Sequence, residues 1–143
     1  MKTFTVQEVI DAIRKDGWKK AYGAYWKDSN GDYLGDEDFD FETIDRSNID
    51  SACALGQAAL NLDVNPIYLE TALNSIPIKL SGYEYETSLG VDITRLNDNT
   101  RNEDLTLPQI ADNLEAKLST AIKNQTIVVK SYAATFNEEE EDE

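Results

Sequence analysis

The chain has 143 residues, with 28 acidic and 13 basic side chains, no histidine and one cysteine, and its net charge is −15. The missing histidine excludes a Ser-His-Asp triad and histidine metal ligands, and a single cysteine excludes an internal disulfide and a cysteine-cluster zinc site. The length predicts one globular domain over residues 1–136, followed by an acidic tail over residues 137–143.

The N-terminal part of the chain contains a predicted helix and a predicted hairpin. Thr5–Glu8 has the pattern of a capping box, and apolar residues then recur with helical spacing, which predicts a helix over about Val6–Asp16. The pair Asn30-Gly31 between aromatic-rich runs predicts a tight hairpin in which both residues have positive φ. The acidic segment 35–47 is interpreted as a loop.

Two helices are predicted in the middle of the chain. Small apolar residues over Ala52–Leu62, with Asp50 or Ser51 as the cap, predict a central helix that other elements approach closely at Gly56. The next helix starts with an asparagine cap and a proline, and it covers about residues 66–75.

Strands and one long helix are predicted in the C-terminal part. Alternating apolar and polar residues over 77–96 predict extended structure with a turn at Gly90. Thr106–Gln109 repeats the capping pattern, and apolar residues at four-residue spacing then predict a single helix that continues to Ile122. Residues 126–133 predict a last strand.

Together these elements predict an α+β fold, in which about four helices pack on one small antiparallel sheet. The sheet would combine the hairpin with strands from residues 77–96 and 126–133. We predict neither a metal site nor a cofactor. Asp28–Asp32 resembles the start of a calcium loop, but Tyr33 stands where glycine is needed and Phe39 where a bidentate glutamate is needed.

No catalytic residue is predicted, and the protein is expected to be non-enzymatic. Cys53 could serve as a nucleophile at a helix N-terminus, but no histidine is present to act as its base, which favours a buried structural cysteine. The aromatic residues of the hairpin region could stack on bases or sugars, although such residues in a small domain more often belong to the core.

The net charge predicts the kind of partner. A charge of −15 opposes direct binding to nucleic acid or anionic membranes, because bound phosphates need Lys or Arg. A basic protein surface is favoured instead, with carboxylates standing in for phosphates as in a nucleic-acid mimic. The same acids are also typical of a solvated loop and a solubilising tail. The candidate partner-binding residues are Asp36, Glu37, Asp38, Asp40, Glu42, Asp45, Glu138, Glu139, Glu140 and Glu141.

Three short motifs occur in an order found in a known family. They are Gly17-Trp18, the helix segment Ala52–Gly56 and the segment Arg95–Asp98. Over about residues 5–123, the chain resembles a family of small uncharacterised proteins of phages and bacteria, which share a Gly-Trp pair, a Cys-x-Leu-Gly-Ala-like helix and a Trp-Asn-Asp-like loop.

The chain departs from that family at two motif positions, since Gln57 replaces an alanine and Leu96 replaces a tryptophan. The resemblance implies a phage-like setting but no established activity. It also implies that the motif residues form one packed unit, either structural or a small pocket. The candidate pocket residues are Trp18, Cys53, Gly56, Arg95, Asn97 and Asp98.

The leading functional expectation is an acidic phage-type accessory protein that binds a basic surface of a host complex and inhibits host defence or nucleic-acid handling. One alternative is a small-ligand, nucleotide-like binding or sequestering protein, and another is a virion or assembly component. A cytoplasmic location, in the host if a phage encodes the protein, is expected. The chain start lacks the apolar stretch of a signal peptide, and no apolar run approaches the roughly 20 residues of a membrane span.

Overall fold

The computed structural model describes residues 1–15, 18–22, 24–34, 45–79, 86–98 and 105–130. Within these ranges the chain forms six α-helices, eight short strands and a 3₁₀ turn at Arg46–Asn48. The helices are α1 (Val6–Arg14), α2 (Ala54–Leu62), α3 (Pro66–Leu73), α4 (Leu89–Asn97), α5 (Leu107–Lys117) and α6 (Thr120–Lys123). The strands are β1 (Lys2–Thr5), β2 (Lys19–Lys20), β3 (Trp26–Lys27), β4 (Tyr33–Leu34), β5 (Ser51–Ala52), β6 (Pro77–Lys79), β7 (Glu86–Ser88) and β8 (Thr126–Val129).

Three predicted helix starts are confirmed. The Thr5 side chain accepts a hydrogen bond from the backbone N–H of Glu8, and the Glu8 carboxylate accepts one from the backbone N–H of Thr5 at 2.8 Å. Thr106 and Gln109 form the same reciprocal pair at the start of α5. Asn65 caps α3. Each cap satisfies backbone N–H groups that the first helical turn leaves unpaired.

The predicted start of the central helix is wrong by two residues. Ser51 and Ala52 pair with neighbouring strands as β5, so neither Asp50 nor Ser51 caps the helix. The cap is Cys53, whose Sγ accepts a hydrogen bond from the backbone N–H of Gly56 at 3.3 Å. Cysteine is not a usual cap, which explains why the pattern did not indicate it.

Within the described part of the segment predicted to be extended, residues 77–79 and 86–88 form β6 and β7, whereas residues 89–97 form α4. The Ser88 side chain accepts a hydrogen bond from the Val91 backbone N–H at 3.2 Å and thereby caps this helix. Leu89, Ile93 and Leu96 are buried on one helical face. The predicted turn at position 90 is therefore wrong, since this glycine lies in the first turn of α4.

The helix predicted to continue to Ile122 is divided into two. Leu118 has an extended backbone, with φ −82° and ψ 141°, and ends α5. The Ser119 side chain then accepts a hydrogen bond from the Ile122 backbone N–H at 3.1 Å and starts α6. A serine cap thus outweighs the apolar spacing that favoured one helix, and Leu118 stays buried at the break.

The predicted β3–β4 hairpin is confirmed, but its turn differs from the prediction. Gly31 has a φ of 85°, whereas Asn30 does not have a positive φ. The Asp28 carboxylate accepts hydrogen bonds from the backbone N–H groups of Asn30 and Asp32, at 2.9 and 3.0 Å. One aspartate and one glycine in the left-handed region therefore close a longer loop, so positive φ at both turn positions is not needed.

Three small sheets replace the single predicted sheet in the described ranges. Strand β1 pairs antiparallel with β8, and β6 pairs antiparallel with β7. The hairpin belongs to a third sheet of order β2-β5-β3-β4, in which β2 and β5 are parallel. The paired segments contain only two to four residues each, so the residues that the structure describes form an α+β arrangement without a continuous central sheet.

Helix α2 lies at the centre of the core, as predicted. All residues over 54–60 are buried, and α1 and α3 pack against this helix. A smaller apolar cluster consists of Trp26, Ile49, Ala52 and Leu60, of which Trp26 and Ala52 belong to the four-stranded sheet, and Tyr25 packs against both clusters. None of the helices in the described ranges has the length and apolar character that crossing a bilayer requires.

Candidate functional site

Gly56 allows the segment before β3 to lie directly on the first turn of α2. A Cβ atom at Gly56 would overlap the backbone carbonyl of Tyr25 and come within 2.9 Å of the Trp26 indole nitrogen. The Trp26 Nε1–H donates to the Gly56 carbonyl at 2.9 Å, and the Cys53 backbone N–H donates to the Tyr25 carbonyl at 3.0 Å. The close approach predicted at Gly56 is therefore confirmed, and it fixes the position of Tyr25.

Asn97 connects the end of α4 to the same region. Its side chain is buried, its Oδ1 accepts a hydrogen bond from the Ala54 N–H at 2.9 Å, and its Nδ2 donates to the Ala21 carbonyl at 2.9 Å. The amide therefore links α4, the start of α2 and the segment after β2. Because both ends of the amide are used inside the protein, Asn97 holds the site together.

These contacts surround a cavity of about 320 Å³. Its apolar wall comes from α2 and α4, its aromatic wall comes from the hairpin region, and its carboxylates come from α3 and from the residue after α4. The lining residues are Ala24, Tyr25, Tyr33, Cys53, Leu55, Glu70, Ile93, Thr94, Asn97 and Asp98.

The cavity is electronegative. Glu70 and Asp98 both line it, and no Lys or Arg belongs to its lining among the residues that the structure describes. The Tyr25 hydroxyl donates a hydrogen bond to the Glu70 carboxylate. Burial, followed by that hydrogen bond and the Glu70 charge, raises the pKa of Tyr25 well above its usual range, so the phenol stays neutral.

The Cys53 thiol is also held in its neutral form. Burial raises its pKa to about 11, and the charges of Glu70 and Asp98 act in the same direction, while backbone N–H groups of α2 oppose them. Because only the thiolate is a good nucleophile, Cys53 is poorly suited to covalent catalysis at neutral pH. Its observed contacts are those of a helix cap that also lines the cavity.

The structure brings together three of the six residues predicted for a pocket. Cys53, Asn97 and Asp98 line the cavity, and Gly56 shapes it through its contact with Tyr25. Arg95 lies on α4 but not in the described lining. Trp18 does not join these residues. It lines a separate cavity beside Gln57 and two lysines.

Most of the acids predicted to bind a partner lie outside the described residues. Asp45 is the exception, and its carboxylate accepts hydrogen bonds from the hydroxyl and the backbone N–H of Ser47, at 2.7 and 3.0 Å. These bonds lower the pKa of Asp45, which caps the 3₁₀ turn. The acids outside the described residues are Asp36, Glu37, Asp38, Asp40, Glu42, Glu138, Glu139, Glu140 and Glu141.

Sequence reasoning missed two residues that define the character of the cavity. For Tyr25 and its aromatic neighbours, the sequence leaves stacking on a ligand and packing in the core both open; Trp26 is fully buried, whereas Tyr25 borders the cavity. Glu70 is an acid in the middle of α3, and nothing in the local sequence distinguishes it from any exposed helical glutamate.

The described lining offers carboxylates, aromatic rings, an apolar wall and a neutral thiol. No group of three or more Cys, Asp or Glu residues within the described ranges is arranged to hold a metal ion. No protein-family model matches the chain, and comparisons with curated proteins and with solved structures find no similar protein.

Proposed function

We propose that this protein is a non-enzymatic binding protein that takes a small molecule into the cavity beside Cys53. The observation that carries the proposal is the cavity itself, whose volume is about 320 Å³ and whose walls combine apolar, aromatic and carboxylate side chains. Ligand pockets have volumes of roughly 300 to 1,000 Å³, and this cavity is at the small end of that range. The ligand is therefore a small molecule rather than a peptide.

The walls of the cavity are already ordered by hydrogen bonds within the protein. Asn97 holds α4 against α2, and the Tyr25 hydroxyl is bonded to Glu70. A cavity whose side chains are fixed before binding loses little conformational entropy when a ligand enters. This preorganisation supports binding as the function of the cavity.

A nucleotide is a poor candidate for the ligand. Its phosphates would lie near Glu70 and Asp98, and the described lining has no Lys or Arg to neutralise them. Each buried phosphate charge that lacks a cationic partner lowers affinity. Of the small-ligand alternatives, a molecule without phosphate groups is favoured.

The substitution Thr94→Phe tests whether ligands occupy this cavity. Thr94 lines the cavity, and a phenylalanine ring at this position would fill part of it. In a thermal-shift screen with small molecules of mixed charge, a compound at about 100 times its Kd should stabilise the wild-type protein by about 2.7 kcal/mol. The same compound should not stabilise the Thr94→Phe variant.

Val91→Phe is the matched control for this experiment. Val91 is also β-branched and lies on the same helix, but it is 41% exposed and does not line the cavity. This variant should respond to the ligand as the wild-type protein does. The proposal is rejected if no compound stabilises the wild-type protein, or if Thr94→Phe responds as strongly as Val91→Phe.

We propose a second function on the basis of the net charge of −15. In this proposal the protein is a phage-type accessory protein whose acidic segment 36–42 binds a basic surface of a host nucleic-acid-handling or defence complex. Nine acids and one base lie between residues 28 and 50, which supports an electrostatic partner site in this part of the chain.

Replacing the five acids of segment 36–42 with lysine should abolish capture of such a complex from host lysate. For the unmodified protein, capture should weaken steeply as the salt concentration rises, because salt screens the attraction between charges. Added nucleic acid should also reverse capture, because its phosphates compete with the carboxylates for the same Lys and Arg side chains of the partner. Mass spectrometry of the eluate identifies the complex, and a variant with five lysines at acids elsewhere controls for net charge. Equal capture by the two variants would contradict this proposal.

A further inference from the structure

We infer that the ligand of the cavity is a small organic cation, either a protonated primary amine or a quaternary ammonium compound, whose charged group lies between Glu70 and Asp98. This inference rests on the proposed small-molecule function and adds the charge and chemical class of the ligand. The three observations behind it are the charges in the lining, the aromatic rings beside them and the apolar wall.

The charges come from two separate elements and act on the same space. Glu70 projects from α3, and Asp98 follows α4, yet both line one cavity. Burial is the main cause of the raised pKa of Cys53, and the charges of Glu70 and Asp98 add to it. All three residues line the same cavity. A cation entering this space gains Coulomb energy from two carboxylates, whereas an anion loses it.

The tyrosine rings beside the carboxylates suit an ammonium group. Tyr25 and Tyr33 line the cavity, and aromatic faces attract cations that lie within about 6 Å of the ring centre. Lys27 provides an internal example, since its Nζ lies 5.4 Å from the centre of the Tyr33 ring. Because the positive charge of Lys27 repels an incoming cation, removing that charge should strengthen the binding of a cationic ligand.

The apolar wall accounts for the organic part of the ligand. Leu55 and Ile93 line the side of the cavity formed by α2 and α4. A bare metal ion or ammonium ion would leave this wall uncovered, whereas an amine with one ring or a short chain would bury it. With a volume of about 320 Å³, the cavity has room for such a molecule.

Cys53 is a built-in reporter of the charge inside the cavity, because it is the only cysteine in the chain. Two methanethiosulfonate reagents of similar size, one carrying an ammonium and one a sulfonate, form a mixed disulfide with the thiolate and release methanesulfinate. The ratio of their rates, divided by the same ratio for a free thiol in solution, measures the local potential. The pKa of Cys53 cancels in this ratio, because both reagents attack the thiolate.

We expect this normalised ratio to be about tenfold or more in favour of the cationic reagent, as two nearby negative charges require. Glu70→Gln and Asp98→Asn should each lower the ratio, whereas Lys27→Gln should raise it. The two carboxylate substitutions keep the size of the side chains nearly unchanged, so they alter charge rather than shape. A wild-type ratio at or below that of the free thiol would overturn the inference, as would a ratio that neither carboxylate substitution lowers.

Three probes of nearly equal shape separate this inference from the proposed function. They are phenethylamine, phenethyl alcohol and phenylacetate, which are cationic, neutral and anionic at pH 7 and are tested by thermal shift on the wild-type and Thr94→Phe proteins. We expect phenethylamine to bind at least about tenfold more tightly than the other two. If the alcohol or the acid binds equally well and Thr94→Phe blocks it, the cavity binds ligands but the inference about cations is wrong.

Discussion

The Gly56→Ala variant is expected to lose about 3 kcal/mol of its free energy of unfolding, the scale of a severe overpacking substitution. The added methyl group would overlap the Tyr25 carbonyl, which is backbone and cannot rotate away. The segment also cannot shift easily, since the Tyr25 carbonyl accepts from Cys53 N–H and the buried Trp26 indole is bonded to Gly56. Alanine is the better helix former by about 1 kcal/mol, but this gain is smaller than the expected loss.

Urea denaturation measures this effect, and Gly31→Ala provides a comparison at a second glycine. A Cβ atom added at Gly31 would meet open space, but the φ of 85° means that an alanine there should cost about 1 kcal/mol through backbone strain alone. The Gly56 variant should therefore be clearly less stable than the Gly31 variant. If Gly56→Ala were as stable as the wild-type protein, this would contradict the close contact between α2 and the Tyr25 segment.

The Asn97→Leu variant is expected to lose a similar amount, about 3 kcal/mol, because it leaves two buried backbone groups without a partner. These groups are the Ala54 N–H and the Ala21 carbonyl, each bonded to the Asn97 amide at 2.9 Å. Leucine is close to asparagine in length, so the loss arises mainly from the unsatisfied polar groups. Urea denaturation measures the stability, and amide hydrogen exchange at Ala54 reports directly on the lost bond.

Asn124→Leu is the matched control for this prediction. Asn124 is exposed at the end of α6, so its replacement should change the stability by no more than about 0.5 kcal/mol. In the Asn97 variant, exchange at Ala54 should be faster, and any ligand of the neighbouring cavity should bind more weakly. Unchanged protection of the Ala54 amide would contradict the bridging role of Asn97.

Helix starts were predictable because their determinants are local. The Thr5 and Thr106 capping boxes each join a side chain to the backbone three residues away, and Asn65 acts over two residues. The same holds for the hairpin at Asp28–Asp32, which depends on one aspartate and one glycine. Such contacts form within one turn of chain, so the residues that make them are adjacent in the sequence.

Where the apolar pattern of a segment fits both a helix and a strand, tertiary packing determines which of the two forms. In α4, the apolar residues Val91, Ile93 and Leu96 match strand alternation nearly as well as a helical face. The Ser88 cap and the burial of Leu89 with Ile93 against neighbouring helices select the helix. The pairing of β1 with β8 joins opposite ends of the described chain, and nothing within either strand specifies its partner.

For function, the sequence by itself determined the chemistry that is absent and the charge that is present. It has no histidine, one cysteine and a net charge of −15. The resemblance of its motifs to a family of small phage and bacterial proteins implies that Cys53, Asn97 and Asp98 belong to one packed unit. Only the tertiary structure decided that Tyr25 and Glu70, 45 positions apart, are hydrogen-bonded beside these residues and border one cavity. The physical reason is that a cavity forms where separate elements pack against one another, here the hairpin, α2, α3 and α4. The approach of these elements depends on Gly56 and Asn97 rather than on the local sequence of any single element.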